Sequence, residues 1–149
     1  MEKTINKELL VATKNPGKFS EITEVLGNTE FDLLFLGSMQ VEDEDFAEDG
    51  ETFEANSRKK AEYYGKKFGM LTLGEDSGIL IDALKGELGV KTSRWGAGEH
   101  ACDTEWIDYF MNRMEGEENR LASFVCCGCL WNPENGEVEY FKGETKGVI

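Results

Sequence analysis

Thr13-Lys14-Asn15-Pro16-Gly17-Lys18 separates an apolar run, Leu9-Leu10-Val11-Ala12, from the helical spacing of Phe19, Ile22, Val25 and Leu26. That order predicts a strand over residues 8–13, a short polar loop, and a helix from Pro16 to about Leu26. Asn15 suits the helix N-cap and Pro16 the first helical position. Gly27-Asn28 stops the helix. The loop sets backbone N–H groups, a helix N-terminus and the ammonium groups of Lys14 and Lys18 at one end of the sheet. Such a place attracts anions, phosphate above all. It is not a P-loop, because Phe19 follows Gly17-Lys18 and no glycine stands at the required earlier offset. An ordinary strand-to-helix turn with solvated lysines accounts for the same letters.

Those lysines stand out against the rest of the chain. Its 149 residues carry 30 acids against 16 bases, a net charge of −14. So acidic a surface lacks the basic footprint of a nucleic-acid-polymer binder and is unsuited to an anionic membrane. A small phosphorylated ligand, held by a few lysines and a bound cation, remains compatible with it. Length and a 40% hydrophobic content predict one domain over residues 1–149 with its own core. No stretch has the apolar length of a membrane span, and residues 1–7 lack a signal-peptide pattern, so a cytoplasmic location is expected. Cys102, Cys126, Cys127 and Cys129 are then reduced thiols. The last three fall in an apolar strand over residues 121–131, where neighbours point to opposite faces and do not converge on a zinc ion. His100 lies in a polar, glycine-flanked segment and reads as solvated.

Further along, residues 31–36 read as a second strand. Glu42-Asp43-Glu44-Asp45, with Glu48, Asp49 and Glu51, reads mostly as a solvated acidic loop. Thr52 caps a helix to about Phe68 with an apolar stripe of Phe53, Ala61, Tyr64 and Phe68. Asn56 and Lys60, one turn apart, flank that stripe as a pocket wall or as groups reaching solvent. Residues 70–74 form a short strand that ends at Glu75-Asp76-Ser77-Gly78. Two carboxylates, a hydroxyl and a glycine there suit a metal–phosphate site, or equally a polar β-turn. Residues 86–98, including Arg94-Trp95, read as a loop over the sheet. Asp103 or Thr104 caps a helix whose stripe, Trp106, Ile107, Phe110, Met111 and Met114, is read as core. Residues 121–131 and 137–141, joined by Asn132-Pro133-Glu134-Asn135-Gly136, form a late β-hairpin. The whole is α/β, a mixed sheet with flanking helices.

In order, these pieces resemble the inosine triphosphate pyrophosphatase family, which hydrolyses noncanonical purine nucleoside triphosphates to monophosphate and pyrophosphate. Its opening Thr-x-Asn-x-x-Lys is matched by Thr13, Asn15 and Lys18. A Glu ahead of Gly-x-Thr-Phe-x-x-Asn is matched by Glu48, Gly50, Thr52, Phe53 and Asn56, with Lys60-Ala61 one turn on. Asp-Asp-Ser-Gly, an apolar triplet and Asp-Ala-Leu are matched by residues 75–84, with Glu75 in place of the first Asp. Gly89-Val90-Lys91-Thr92-Ser93-Arg94-Trp95 answers a fourth element. Ala55, Ser57 and Leu88 depart from the family's usual residues.

The resemblance implies that Glu48 and Asp76 bind Mg²⁺ and that Asp76 is the general base. It implies that Lys18 and Lys60 neutralise phosphate charge, while Thr13, Asn15 and Ser77 hydrogen-bond it. No catalytic histidine or thiol is called for. The family's pattern continues past Ile149 with Phe-Gly-Tyr-Asp-Pro and Ser-His-Arg elements that help to form the base and phosphate pocket. A chain lacking them is expected to keep phosphate and metal affinity but to discriminate hypoxanthine from adenine poorly. It is also expected to expose apolar surface and bury it by self-association, as a homodimer. A nucleotide-binding remnant without catalysis is the alternative from another class. A septum-formation-inhibitor-like enzyme acting on dTTP or UTP is a nearer one, but that family opens with a Ser-x-Arg-Arg loop this chain lacks.

Overall fold

Alternating apolar segments and capped helices assemble into one mixed sheet with helices against it. The structure is a computed structural model and describes residues 7–42, 46–98 and 100–149, with only the backbone of Arg94. The expectations for residues 1–6 and for Asp43, Glu44 and Asp45 therefore lie outside the described residues, as does the Arg94 side chain. The strands are β1 (Lys7–Val11), β2 (Phe31–Phe35), β3 (Thr72–Ile81), β4 (Leu121–Trp131) and β5 (Val138–Val148). The helices are α1 (Pro16–Leu26), α2 (Phe53–Phe68) and α3 (Asp103–Arg113). In the sheet the order is β2-β1-β3-β4-β5. β1 runs parallel to β2 and β3, and β3, β4 and β5 are successively antiparallel. No helix among the described residues is long and apolar enough to cross a membrane.

Local chemistry sets the helix ends. Asn15 caps α1 with Pro16 at its start. Thr52 caps α2 by accepting from the Ala55 N–H at 3.0 Å, and Gly69, at φ 64°, ends it in the left-handed region glycine tolerates. α2 lies across β3 and β4. It buries Phe53 with Val125 and Cys127, and Ala61 with Cys129 and Trp131. Tyr64 packs with Leu10, Ala12 and Leu36. A separate cluster of Ile81, Leu84, Leu88, Phe110 and Met114 joins the far end of β3 to α3.

The structure corrects several expectations. Glu75-Asp76-Ser77-Gly78 is no turn at a strand end; it lies inside the ten-residue strand β3. The glycines there answer to crowding: a Cβ at Gly74 would run into the Ser57 carbonyl of α2, and one at Gly78 into the Gly89 carbonyl. Gly74→Ala is accordingly expected to destabilise the protein by about 1–3 kcal/mol, read as a lower urea midpoint at unchanged slope. β5 continues through the polar stretch of residues 142–147, because every residue of β4 pairs with it. Within residues 86–98 there is a 3₁₀ segment, Gly89–Arg94, tied down by the Thr92 hydroxyl, which accepts from the Ile79 N–H at 3.1 Å. Cys102, not Asp103 or Thr104, is the N-cap of α3. Of that helix's stripe, Phe110 and Met114 are buried but Ile107 and Met111 are about half exposed. No residue of α1 is buried; Phe19 stacks on Phe35 at 4.7 Å between ring centroids.

Candidate active site

β1 ends where β3 goes on, and the candidate residues gather at that step. The two strands pair only at Leu10↔Thr72 and Val11↔Leu73. The carbonyls of Leu71 and Leu73 accept from the Leu10 and Ala12 N–H groups, both at 2.9 Å. By strand alternation the next carbonyl in that row is Glu75's, where β1 has no residue left to donate. Lys60 Nζ, reaching from α2, donates to it at 3.0 Å. The lysine thus continues the ladder and brings its charge to the strand edge. It also pairs with the Glu48 carboxylate.

Asp76 is the buried acid of the site, 9% exposed. Its side chain lies on the α2 side of β3. Asn56 Nδ2 donates to Asp76 Oδ2 at 2.9 Å, and the Ser77 N–H donates to Oδ1 at 3.0 Å. Asn56 is itself 2% exposed, and its Oδ1 accepts from the Gly50 N–H at 2.7 Å. One amide therefore fixes both the acid and the loop that carries Glu48. Burial raises the Asp76 carboxyl above the ordinary carboxylate range. Asn56 and the Lys60 charge oppose that, and the Glu48 and Glu75 charges add to it.

Glu75 and Ser77 point to the opposite side of β3, toward α1. Lys18 Nζ donates to Glu75 Oε2 at 2.8 Å and to Ser77 Oγ at 3.2 Å. The Cys126 thiol donates to Glu75 Oε1 at 3.6 Å. Burial pushes the Glu75 carboxyl up, but the hydrogen bonds from Lys18 and Ser77 and the Lys18 and Lys60 charges outweigh it and hold the carboxyl below its usual range. Cys126 is pushed up to about 11 by burial and by the neighbouring Glu75, so it stays a thiol at neutral pH. Cys127 and Cys129 lie on the other face, as alternation requires, and both are buried.

Thr13, Lys14, Glu48 and Lys60 line one cleft of about 310 Å³, together with Ala12, Leu36, Phe46 and Tyr64. Asp76, bonded to Asn56, is not part of the lining but feels the charges of Lys60 and Glu48, which are; Lys18 and Ser77 stand across the strand. The 13–18 loop differs from expectation in one respect. The Asn15 side chain already accepts from the Gly17 N–H at 2.8 Å and the Lys18 N–H at 3.3 Å, so those two groups serve the cap. The Thr13 hydroxyl accepts from the Asn15 N–H at 3.2 Å. Sequence reading overlooked the Glu75–Lys18 pair; the longer arm of Glu75 was its one visible signal. It also overlooked Phe46 and Tyr64 as cleft walls.

Glu48 and Asp76 are close enough for the Glu48 charge to raise the Asp76 carboxyl, and Lys60 meanwhile supplies the cation between them. Two hard carboxylates with room for water and phosphate oxygens suit Mg²⁺. Among the described residues no group of three or more His, Cys, Asp or Glu side chains is arranged to hold a metal alone.

Comparison with known proteins gives a consistent result. The model of the Ham1 family matches residues 9–149. A dITP/XTP pyrophosphatase of Geobacter sulfurreducens is 39% identical over 149 residues, 95% of this chain and 70% of that protein. One from Bacillus subtilis is 35% identical over 147 residues, 97% of this chain and 73% of that protein. The solved structure of a HAM1 protein from Coxiella burnetii superposes with a TM-score of 0.82 at 32% identity, over 96% of this chain and 73% of that one.

Proposed function

The chain belongs to the Ham1 family, and from that premise we propose that it hydrolyses noncanonical purine nucleoside triphosphates, dITP, XTP and ITP, to monophosphate and pyrophosphate. The observation that carries the reading is Asp76: a buried carboxylate held by Asn56, with Lys60 on one side of its strand and Lys18 on the other. The relatives named dITP/XTP pyrophosphatase support the substrate class. Such an enzyme serves the nucleotide pool and works in the cytoplasm.

In this mechanism Asp76 accepts a proton from the attacking water. The oxygen adds to the α-phosphorus, the bond from that phosphorus to the α–β bridging oxygen breaks, and pyrophosphate leaves with the electron pair. A carboxyl raised by burial is a better base than a solvated one. Lys60 and Lys18 hold the phosphate oxygens by charge-assisted hydrogen bonds, and Thr13, Lys14, Asn15 and Ser77 complete the cradle. Glu48 and Asp76 would hold Mg²⁺, which offsets the triphosphate charge when bound.

Pyrophosphate release measured over ITP, XTP, dITP, ATP, GTP and dTTP, with and without Mg²⁺, tests the reading. Turnover of the first three in Mg²⁺ is expected. Nucleotide binding without release would instead mark a non-catalytic nucleotide binder, and preference for dTTP the nearer alternative. Glu48→Gln is expected to weaken the Mg²⁺ dependence of triphosphate binding in calorimetry. Asp49→Asn should do little, since Asp49 pairs with Lys59 at the surface and exposed charge is screened. Equal effects would mean that the acidic segment acts only as a diffuse field.

A further inference from the structure

Asn56 stands in the first turn of α2 and is 2% exposed. Both hydrogens of its amide are in use. Nδ2 donates to Asp76 Oδ2 at 2.9 Å and to the Gly50 carbonyl at 3.4 Å. Oδ1 accepts from the Gly50 N–H at 2.7 Å. Asn56 therefore has no hydrogen to offer a phosphate oxygen. The loop it grips leads back two residues to Glu48, and Lys60, one turn along the same helix, pairs with Glu48 itself. Gly50 completes the arrangement. Its φ lies outside the left-handed region, so its backbone suits any residue. A Cβ there would nevertheless run into the Asn56 amide. What this position excludes is a side chain, because an amide lies against its backbone.

We propose that Asn56 is a positioning residue: it sets the separation of Glu48 and Asp76 so that both carboxylates serve one Mg²⁺, an inference that rests on the proposed Mg²⁺-dependent hydrolysis. The side chain suits the task because its two ends differ. The oxygen takes a loop N–H, and the nitrogen gives to a carboxylate. An ionised Asp in its place would have no hydrogen for Asp76, and the longer arm of a Gln would displace one partner. Groups that hold a metal-binding carboxylate typically change metal affinity about 10- to 100-fold when removed. A residue that only filled the space under the loop would lower stability and leave the response to Mg²⁺ alone.

Calorimetric titration of ITP into the wild type, Gly50→Ala, Asn56→Ala and the double variant, each with and without Mg²⁺, tests the assignment. Each single variant is expected to weaken ITP binding in Mg²⁺ at least about tenfold and to leave binding without Mg²⁺ nearly unchanged. The double variant should bind like Asn56→Ala, because the space of the missing amide takes the new Cβ and the two changes are not additive. Equal losses with and without Mg²⁺ would overturn the proposal, since Asn56 would then act on the nucleotide. So would additive losses in the double variant, or a wild type whose ITP binding ignores Mg²⁺. Should Asn56→Ala not fold, Gly50→Ala, on a half-buried loop, decides alone: an unchanged response to Mg²⁺ overturns the assignment and a loss confined to Mg²⁺ supports it. Binding needs no turnover, so failure of the wild type to release pyrophosphate would count against the hydrolysis only.

Discussion

Asp76→Asn lowers the rate of pyrophosphate release by at least about 100-fold, and its stability relative to the wild type is greater at pH 7 than at pH 3. The substitution keeps the shape, but its single amide oxygen can accept from Asn56 Nδ2 or from the Ser77 N–H and not from both, since these bond Oδ2 and Oδ1 of the wild-type carboxylate. What disappears besides that bond is the charge. Burial raises the Asp76 carboxyl in the folded state. Its contribution to stability is therefore present below the unfolded-state pKa and lost as pH rises through the folded value. At pH 7 the ionised carboxylate is a burden on the fold, and the Asn variant is free of it. Thermal unfolding at pH 7 and at pH 3 separates the charge from the lost hydrogen bond: the variant's stability relative to the wild type should be higher at the first than at the second. Near-normal turnover by the variant would falsify the role of Asp76 as the base.

Lys60→Met is expected to lower kcat/KM by roughly 10- to 100-fold, since a hydrogen bond to a charged group contributes about 1.5–3 kcal/mol. Its second effect is on pH dependence. The Lys60 charge pulls the Asp76 carboxyl down, against burial. Without that charge the carboxyl rises further, so the base form appears only at higher pH and the acidic limb of the kcat/KM profile moves upward. Lys60→Arg, which keeps the charge, should restore much of the limb's position. A Met variant that loses activity with its acidic limb unmoved would show that Lys60 only binds phosphate, with no influence on the base.

What sequence made legible was local. The Asn15–Pro16 helix start, the Thr52 cap and the alternation of residues 121–131 each rest on neighbours a few positions away, and each is present in the structure. Most of the candidate site residues follow from the same stretches. Glu75-Asp76-Ser77-Gly78 misled because Asp, Ser and Gly are turn formers by local preference. Here their neighbours in space decide otherwise. Gly74 and Gly78 are small because backbone passes close by, and Asp76 tolerates burial because Asn56, 20 positions earlier, reaches it. The same reason hid β5: a polar run such as Lys142-Gly143-Glu144-Thr145-Lys146 is a strand only because β4 lies beside it. Ile107 and Met111 keep helical spacing without a partner surface among the described residues, and periodicity alone does not reveal which apolar face is covered.

The placement of Asp76 inside a strand also governs how the protein comes apart. β3 is zipped to β4 from Thr72↔Trp131 to Ile81↔Ala122, with Asp76 near the middle. A base on a loop can be released by a small local opening; this one is released only when the central ladder dissolves. The Asp76 amide should then be among the last to take up deuterium. In rising denaturant, activity should persist until the sheet itself melts, so that inactivation and unfolding share one midpoint.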